Sequence, residues 1–175
     1  MIARFGSIGR MMDASDAAIL RALPDDEASA HAVIAARNLS RVGLGESLVG
    51  TRVEVEDKAL QAFLVAKVQN CREERLHVVF ADAAREYICD EGIAVGELDQ
   101  IGFSLRGLVE RALDCGARSY LLAHNHPSGC PTPSEPDIAA TRRIVDIGAA
   151  MDLEFIDHLI VARGRIFSMR QGAML

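Results

Sequence analysis

The sequence lacks an excess of positive charge. It contains 19 Lys and Arg residues against 25 Asp and Glu residues, which gives a formal net charge of −6 at pH 7, and its pI is near 5.4. A surface that follows a phosphate backbone needs clustered Lys and Arg side chains. The composition therefore argues against nucleic-acid binding through bulk charge.

Long apolar segments and paired cysteines are also missing. No window approaches the apolar length that spans a bilayer, and the first residues, MIARFGSIGRMMDASD, contain no apolar stretch of signal-peptide length. The four cysteines form no CxxC pair, and the chain is not of the short, cysteine-dense type that needs disulfides. We expect a soluble cytoplasmic protein with reduced thiols and no membrane association.

What the chain does have is enough length for one sizeable hydrophobic core. It contains 175 residues, of which 50% are hydrophobic. We predict a helical N-terminal extension over residues 1–49 and a single domain over residues 50–175. Gly43 and Gly45 suggest the glycine turn of a helix-hairpin-helix DNA module, but a plain linker is favoured because no second amphipathic helix follows.

Apolar periodicity in residues 50–175 predicts one sheet with helices on its faces. The predicted order is a helix from residue 56 or 57, strands at 74–82 and 85–96, a helix at 104–116, a strand at 117–123, a helix at 134–151, and strands at 153–162 and 165–170. The first two strands form an antiparallel hairpin. The third strand is almost continuously apolar, which is typical of the middle of a sheet. The fold class is therefore α/β, a mixed sheet sandwiched by helices.

The segment LLAHNHPSGCPTPSEPD, residues 121–137, carries the chemistry. His124 and His126 end the apolar strand, and alternation along an extended chain sends both imidazoles to the same side. Proline and glycine residues then force the backbone to turn before Ser134 and Asp137 open a helix. Two imidazole nitrogens and one carboxylate oxygen are a ligand set that catalytic zinc uses, with the fourth tetrahedral position left for water. We therefore predict a metal-dependent hydrolase.

A purely structural interpretation competes for two of these residues. Ser134-x-x-Asp137 before a periodic apolar run is the pattern of a helix capping box, in which both side chains satisfy backbone N–H groups. Taken alone, that interpretation is favoured because caps are common. Alternating histidines, a forced turn and an acid within reach together favour the metal site. Cys130 lies in the same loop, where a thiolate ligand would compete with the water.

The string HNHPSG followed by PSEPD resembles the signature of JAB/MPN (JAMM) metalloenzymes in the form carried by the RadC group, and the similarity covers about residues 53–175. The resemblance implies a JAB/MPN-like fold, with cytidine-deaminase-like layering, and a zinc ion held by His124, His126 and Asp137. It further implies that Ser134 supports the developing oxyanion during hydrolysis of an amide bond in a peptide or isopeptide substrate. The alternatives are a non-catalytic zinc-containing interaction module and a DNA-repair accessory protein, and the acidic charge disfavours the latter.

The resemblance also requires a glutamate, at the start of the first strand of the domain, to act as general base. Glu74 fits that position, and Glu73 is its competitor. Alternation places Glu74 on the same face as Leu76 and Phe80, so Glu74 points inward if those residues line the core. The remaining interpretation is that both acids are solvated charges at the edge of the strand.

Two further histidines are interpreted as structural. We expect His77 to be a surface histidine, and His158, inside an apolar strand, to bond a neighbouring backbone group. Neither is assigned a catalytic role. Asp157 is a candidate outer partner that orients His158 or another group.

Overall fold

The computed structural model describes residues 2–12, 14–68, 74–94 and 105–175. Its helices are α1 (Ile2–Phe5), α2 (Ile8–Met12), α3 (Asp16–Ala22), α4 (Glu27–Glu46), α5 (Lys58–Val68), α6 (Leu105–Asp114) and α7 (Glu135–Ala150). Its strands are β1 (Arg75–Ala81), β2 (Tyr87–Ala94), β3 (Ser119–Asn125), β4 (Glu154–Ala162) and β5 (Arg165–Ser168). None of the helices in the described ranges combines the length and the apolar character that a bilayer crossing requires.

The five strands form one mixed sheet in the order β2-β1-β3-β4-β5. β1 pairs antiparallel with both β2 and β3, whereas β3 pairs parallel with β4, and β4 pairs antiparallel with β5. Every residue of β3 is buried, as expected for a strand with neighbours on both sides and helices above and below. The predicted hairpin, the central position of β3 and the mixed sheet are all confirmed.

Helices cover both faces of this sheet. On one face, α6 and α7 supply Leu108 and Ile144 to a cluster that includes Phe80 of β1. On the other face, α5 supplies Phe63 to a second cluster that includes Leu121 of β3. The predicted α/β sandwich is therefore present, and β1 and β3 are buried on both faces.

The helix before the domain is longer than the sequence predicted. α4 continues through Gly43 and Gly45 to Glu46, so the interpretation of this segment as a linker is wrong. A glycine in a helix interior costs up to about 1 kcal/mol relative to alanine. Here Leu44 and Leu48, at the end of α4, join the cluster that contains Phe63, and that burial offsets the poor helix propensity of the glycines. The division at residue 49 stays a prediction.

His77 is not a surface residue, and that prediction is wrong. It is 4% exposed, because the face of β1 opposite Leu76 is covered by α5, and its ring lies edge-on to Phe63. His77 Nε2 lies 2.8 Å from Asp90 Oδ2 on β2. Lys67 Nζ and the Tyr87 hydroxyl also donate to this carboxylate, at 2.9 and 2.5 Å.

Asp90 is therefore the shared acceptor of a partly buried polar network between α5, β1 and β2. Burial alone would raise the pKa of Asp90, but the hydrogen bonds from His77, Tyr87 and Lys67 outweigh it and hold that pKa well below its ordinary value. Removing the carboxylate leaves the buried His77 and the partly buried Lys67 and Tyr87 without this acceptor.

Asp90→Ala is expected to lower the free energy of unfolding by about 2 kcal/mol, because a partly buried charged acceptor is lost while its partners remain. Denaturant unfolding measures the change. Glu91→Ala is the matched control, since the Glu91 side chain is 51% exposed and forms an ion pair with Arg111, 43% exposed, at 3.1 Å. Its effect is expected to stay within about 0.5 kcal/mol. Equal effects of the two substitutions would contradict a stabilising role for the network.

Candidate metal centre

Two predicted ligands lie at the C-terminal end of β3, where the strand leaves the core. The backbone N–H of His126 donates to Val161 O on β4 at 3.0 Å, which extends the strand pairing beyond Asn125. The Nε2 atoms of His124 and His126 lie 2.8 Å apart. Both imidazoles therefore project to the same side, as the alternation predicted, and His124 is the more buried of the two, at 4% exposure.

The loop after His126 turns back at Gly129. Its N–H donates to His126 O at 3.0 Å, and its φ of +84° lies in the region that favours glycine. A Cβ added to Gly129 would lie 2.2 Å from Nε of Arg163 in the β4–β5 turn. The packing of that turn therefore also favours a residue without a side chain at position 129. This turn returns the chain to α7 and brings Asp137 beside the histidines.

The position of Asp137 is compatible with both of the roles that the sequence presented as alternatives. Its Oδ2 accepts hydrogen bonds from the backbone N–H and the hydroxyl of Ser134, at 2.7 and 2.6 Å, and its own N–H donates to Ser134 Oγ, which completes a capping box. The side chain is nevertheless 1% exposed and faces the histidines, with Oδ1 3.4 Å from His124 Nε2 and Oδ2 3.3 Å from His126 Nε2. Asp137 Oδ1 is buried and has no hydrogen-bond partner among the residues that the structure describes.

The tautomer of His126 leaves its Nε2 available for a metal. His126 Nδ1 lies 2.8 Å from the carbonyl oxygen of Cys130, and because a carbonyl only accepts, Nδ1 carries the proton. In the neutral ring, Nε2 is then an acceptor.

One ligand atom from each of His124, His126 and Asp137 lies within 4.8 Å of the others. A buried carboxylate and two imidazole nitrogens form a ligand set for a divalent cation such as zinc, which binds N and O ligands at about 2.0–2.2 Å. These residues therefore fit the metal that the resemblance implies.

Cys130 takes part through its backbone alone. Its side chain is exposed, and its Sγ lies 3.4 Å from the hydroxyl of Thr132. The thiol is not among the grouped ligand atoms, so the geometry does not support thiolate competition for the metal. Its carbonyl instead orients His126.

Glu74 lies immediately before β1, beside the histidines. The β1–β3 register pairs Leu76 with His124, which places Glu74 close to His126 across the pairing. Glu74, Leu76, His124, Ala140, Thr141, Ile144 and His158 are among the residues that line one small cavity. Burial is the main cause that raises the pKa of Glu74; the charge of Asp137 raises it further and that of His126 opposes the rise.

The start of β1 is held by Asn125, the residue between the two histidines. Its side-chain oxygen accepts the N–H of Arg75 at 2.7 Å, which fixes the backbone next to Glu74. Glu73, the competing base, lies outside the described residues. The choice of Glu74 over Glu73 therefore stays a prediction.

Ser134 is in place, but its hydroxyl is already engaged. The single hydroxyl proton is donated to Asp137 Oδ2 at 2.6 Å. In this arrangement Ser134 holds Asp137, and stabilising an oxyanion requires that proton to be redirected. The oxyanion role of Ser134 stays a prediction.

The structure adds two residues that sequence reasoning missed. His158 does not bond a neighbouring backbone group through its ring: Nε2 lies 2.7 Å from His124 Nδ1, and Nδ1 lies 2.7 Å from Thr141 Oγ1. The Asp157 carboxylate accepts the backbone N–H of His158 at 2.7 Å, the hydroxyl of Ser168 and the N–H of Arg170. Asp157 therefore holds the backbone at His158, whereas Thr141 and His124 contact its ring. A lone histidine in an apolar strand and a threonine one turn after a predicted ligand were the available signals.

Burial keeps these inner histidines neutral. Desolvation is the largest cause that lowers the pKa of His158 and that of His124. The neighbouring histidine charges lower both values further, while Asp137 opposes the change at His124. Neutral imidazole is the form that binds metal.

Residues 54–174 match the family model described as RadC-like JAB domain. A UPF0758 protein of Rhodobacter capsulatus is 33% identical over 98% of this chain and 80% of its own length. UPF0758 proteins of Cupriavidus pinatubonensis and Symbiobacterium thermophilum are 31% and 35% identical, over 100% and 67% of this chain and 77% and 50% of their own lengths. The family match covers every residue of the predicted site.

Proposed function

The chain belongs to the RadC-like JAB family, and we propose that it is a zinc-dependent hydrolase of amide bonds in peptide or isopeptide substrates. The observation that carries the proposal is the buried carboxylate of Asp137, whose Oδ1 has no hydrogen-bond partner among the described residues and lies 3.4 Å from His124 Nε2, while Oδ2 lies 3.3 Å from His126 Nε2. A buried carboxylate oxygen without a donor is costly unless a cation satisfies it.

His124, His126 and Asp137 would hold the zinc ion. When bound, zinc acts as a Lewis acid that makes water nucleophilic near neutral pH and polarises the scissile carbonyl. Three protein ligands suit a catalytic site with an open position, whereas structural zinc sites use four. The three-residue ligand group therefore favours the enzyme over a structural zinc module.

Glu74 would act as the general base. It lines the same cavity as His124, and its raised pKa suits a carboxylate that takes a proton from the attacking water and returns it to the leaving amine. The Ser134 hydroxyl would then donate its hydrogen bond to the oxyanion and release the one that it donates to Asp137 Oδ2.

The test combines metal analysis with hydrolysis. Elemental analysis of the purified protein is expected to find one zinc per chain. Digestion of a peptide library and of isopeptide-linked peptides, followed by mass spectrometry, is expected to show cleavage that a chelator abolishes and one equivalent of zinc restores. Cleavage that survives complete removal of the metal would overturn the proposal.

A further inference from the structure

A chain of buried hydrogen bonds leads from the backbone of α7 to the metal-facing ring of His124. Thr141 Oγ1 lies 2.6 Å from the carbonyl oxygen of Asp137 and 2.7 Å from His158 Nδ1. His158 Nε2 in turn lies 2.7 Å from His124 Nδ1. Thr141, His158 and His124 are 0%, 3% and 4% exposed.

The number of protons in this chain fixes its direction. Thr141 has one hydroxyl proton, and the carbonyl of Asp137 can only accept it. The sulfur of Met169, at 3.8 Å, is a weaker and more distant acceptor. Thr141 Oγ1 must therefore accept from His158 Nδ1, which makes Nδ1 the protonated nitrogen of His158.

The same reasoning continues to the metal ligand. His158 Nε2 then carries a lone pair and accepts the proton on His124 Nδ1. His124 Nε2 is left as an acceptor, and it is this atom that lies 2.8 Å from His126 Nε2 and 3.4 Å from Asp137 Oδ1.

We propose that Thr141 and His158 are positioning residues that hold His124 in the tautomer whose Nε2 lone pair faces the metal. The inference rests on the proposed zinc site. This chain of hydrogen bonds begins at the backbone carbonyl of Asp137. Asp137 would therefore supply a ligand oxygen through its side chain and set the tautomer of His124 through its backbone.

The opposite direction would block the metal. If Thr141 donated to His158 Nδ1, then His158 Nε2 would donate to His124 Nδ1, and His124 Nε2 would carry a proton towards the site. Outer partners that fix ligand orientation and tautomer commonly change metal affinity by about 10–100-fold.

The first experiment reads the tautomers without any metal. Long-range ¹H–¹⁵N correlation spectra of the metal-free protein with ¹⁵N-labelled histidine are expected to show His124 and His158 both protonated at Nδ1. A proton on His158 Nε2, or a His124 ring with no proton on Nδ1, would overturn the proposal. Because the wild-type protein is used, this reading does not depend on whether any variant folds.

The second experiment compares Thr141→Val with Thr141→Ser. Valine removes the acceptor for His158 Nδ1 and is expected to weaken zinc binding by about 10–100-fold in a competition titration with a chelator. Serine keeps the hydroxyl and is expected to retain affinity within a few-fold. Titrations with cobalt, followed by the visible absorption of the bound ion, are expected to rank the affinities in the same way, with Thr141→Val weaker than Thr141→Ser and the wild type.

Ile156→Val is the control for a general loss of packing. It shortens a buried side chain on β4, in the cluster on the opposite face, and is expected to leave zinc affinity unchanged. If the wild type binds no zinc, the proposed function fails, while the tautomer spectra still test whether Thr141 and His158 fix the tautomer of His124. If the wild type and Thr141→Val bind zinc equally, the positioning role is wrong and the proposed function stands.

Discussion

Replacing Glu74 by glutamine is expected to lower kcat for amide hydrolysis by about 10²–10⁴-fold, the usual contribution of a positioned general base. The carboxylate lies in the cavity beside His124 but is not among the three grouped ligands. An amide of the same shape cannot take a proton from water, yet it leaves those ligands in place. Zinc content and affinity are therefore expected to stay at the wild-type level.

Steady-state kinetics and elemental analysis of the same preparation test the Glu74→Gln variant. Glu135→Gln is the matched control, because it makes the same chemical change at an exposed position in the first turn of α7. It is expected to keep the wild-type kcat. Wild-type hydrolysis by Glu74→Gln would show that another group is the base, and Glu73→Gln would be the next variant.

Asp137→Asn is expected to weaken zinc binding by more than about 100-fold, since it removes a ligand rather than an outer partner. Hydrolysis is expected to fall with the zinc content. Stability is not expected to follow, because the amide oxygen can still accept the two hydrogen bonds from Ser134 that now reach Oδ2. Metal titration and denaturant unfolding, measured together, separate the two effects.

Ser134→Ala tests the opposite outcome, a loss of stability with zinc binding retained. It removes the hydroxyl of the capping box and is expected to cost about 1 kcal/mol of stability, while the three ligands remain and zinc still binds. His126→Ala is expected to lose zinc and hydrolysis with the cap intact. If Asp137→Asn retained zinc but lost stability, Asp137 would be a cap alone and the proposed metal site would be wrong.

The metal loop was readable in the sequence because its parts are close together in the chain. Alternation within β3 predicted the shared direction of His124 and His126, and the forced turn predicted the return of Asp137. What the sequence could not decide was whether Asp137 caps its helix or faces the histidines. The structure shows both, because the two carboxylate oxygens have different neighbours.

The errors have a common cause. His77 was predicted at the surface because alternation assigns one face of β1 to the core, but α5 buries the other face as well. The segment around Gly43 and Gly45 was predicted to be a linker from its glycine turn chemistry and from the lack of a second amphipathic helix after it. The burial of Leu44 and Leu48 outweighs the local preference of the glycines. In both cases a contact with a distant part of the chain overrode a local pattern.

The sequence by itself determined the order of the strands and helices after residue 50 and a loop with two histidines and a returning acid, since periodicity and turn chemistry act over neighbouring residues. Only the tertiary structure brings His158 into contact with Nδ1 of His124, and Thr141 into contact with His158. Those contacts depend on the pairing of β3 with β4 and on the packing of α7 over them. Such contacts join residues far apart in the chain, and no local preference specifies which side chains meet there.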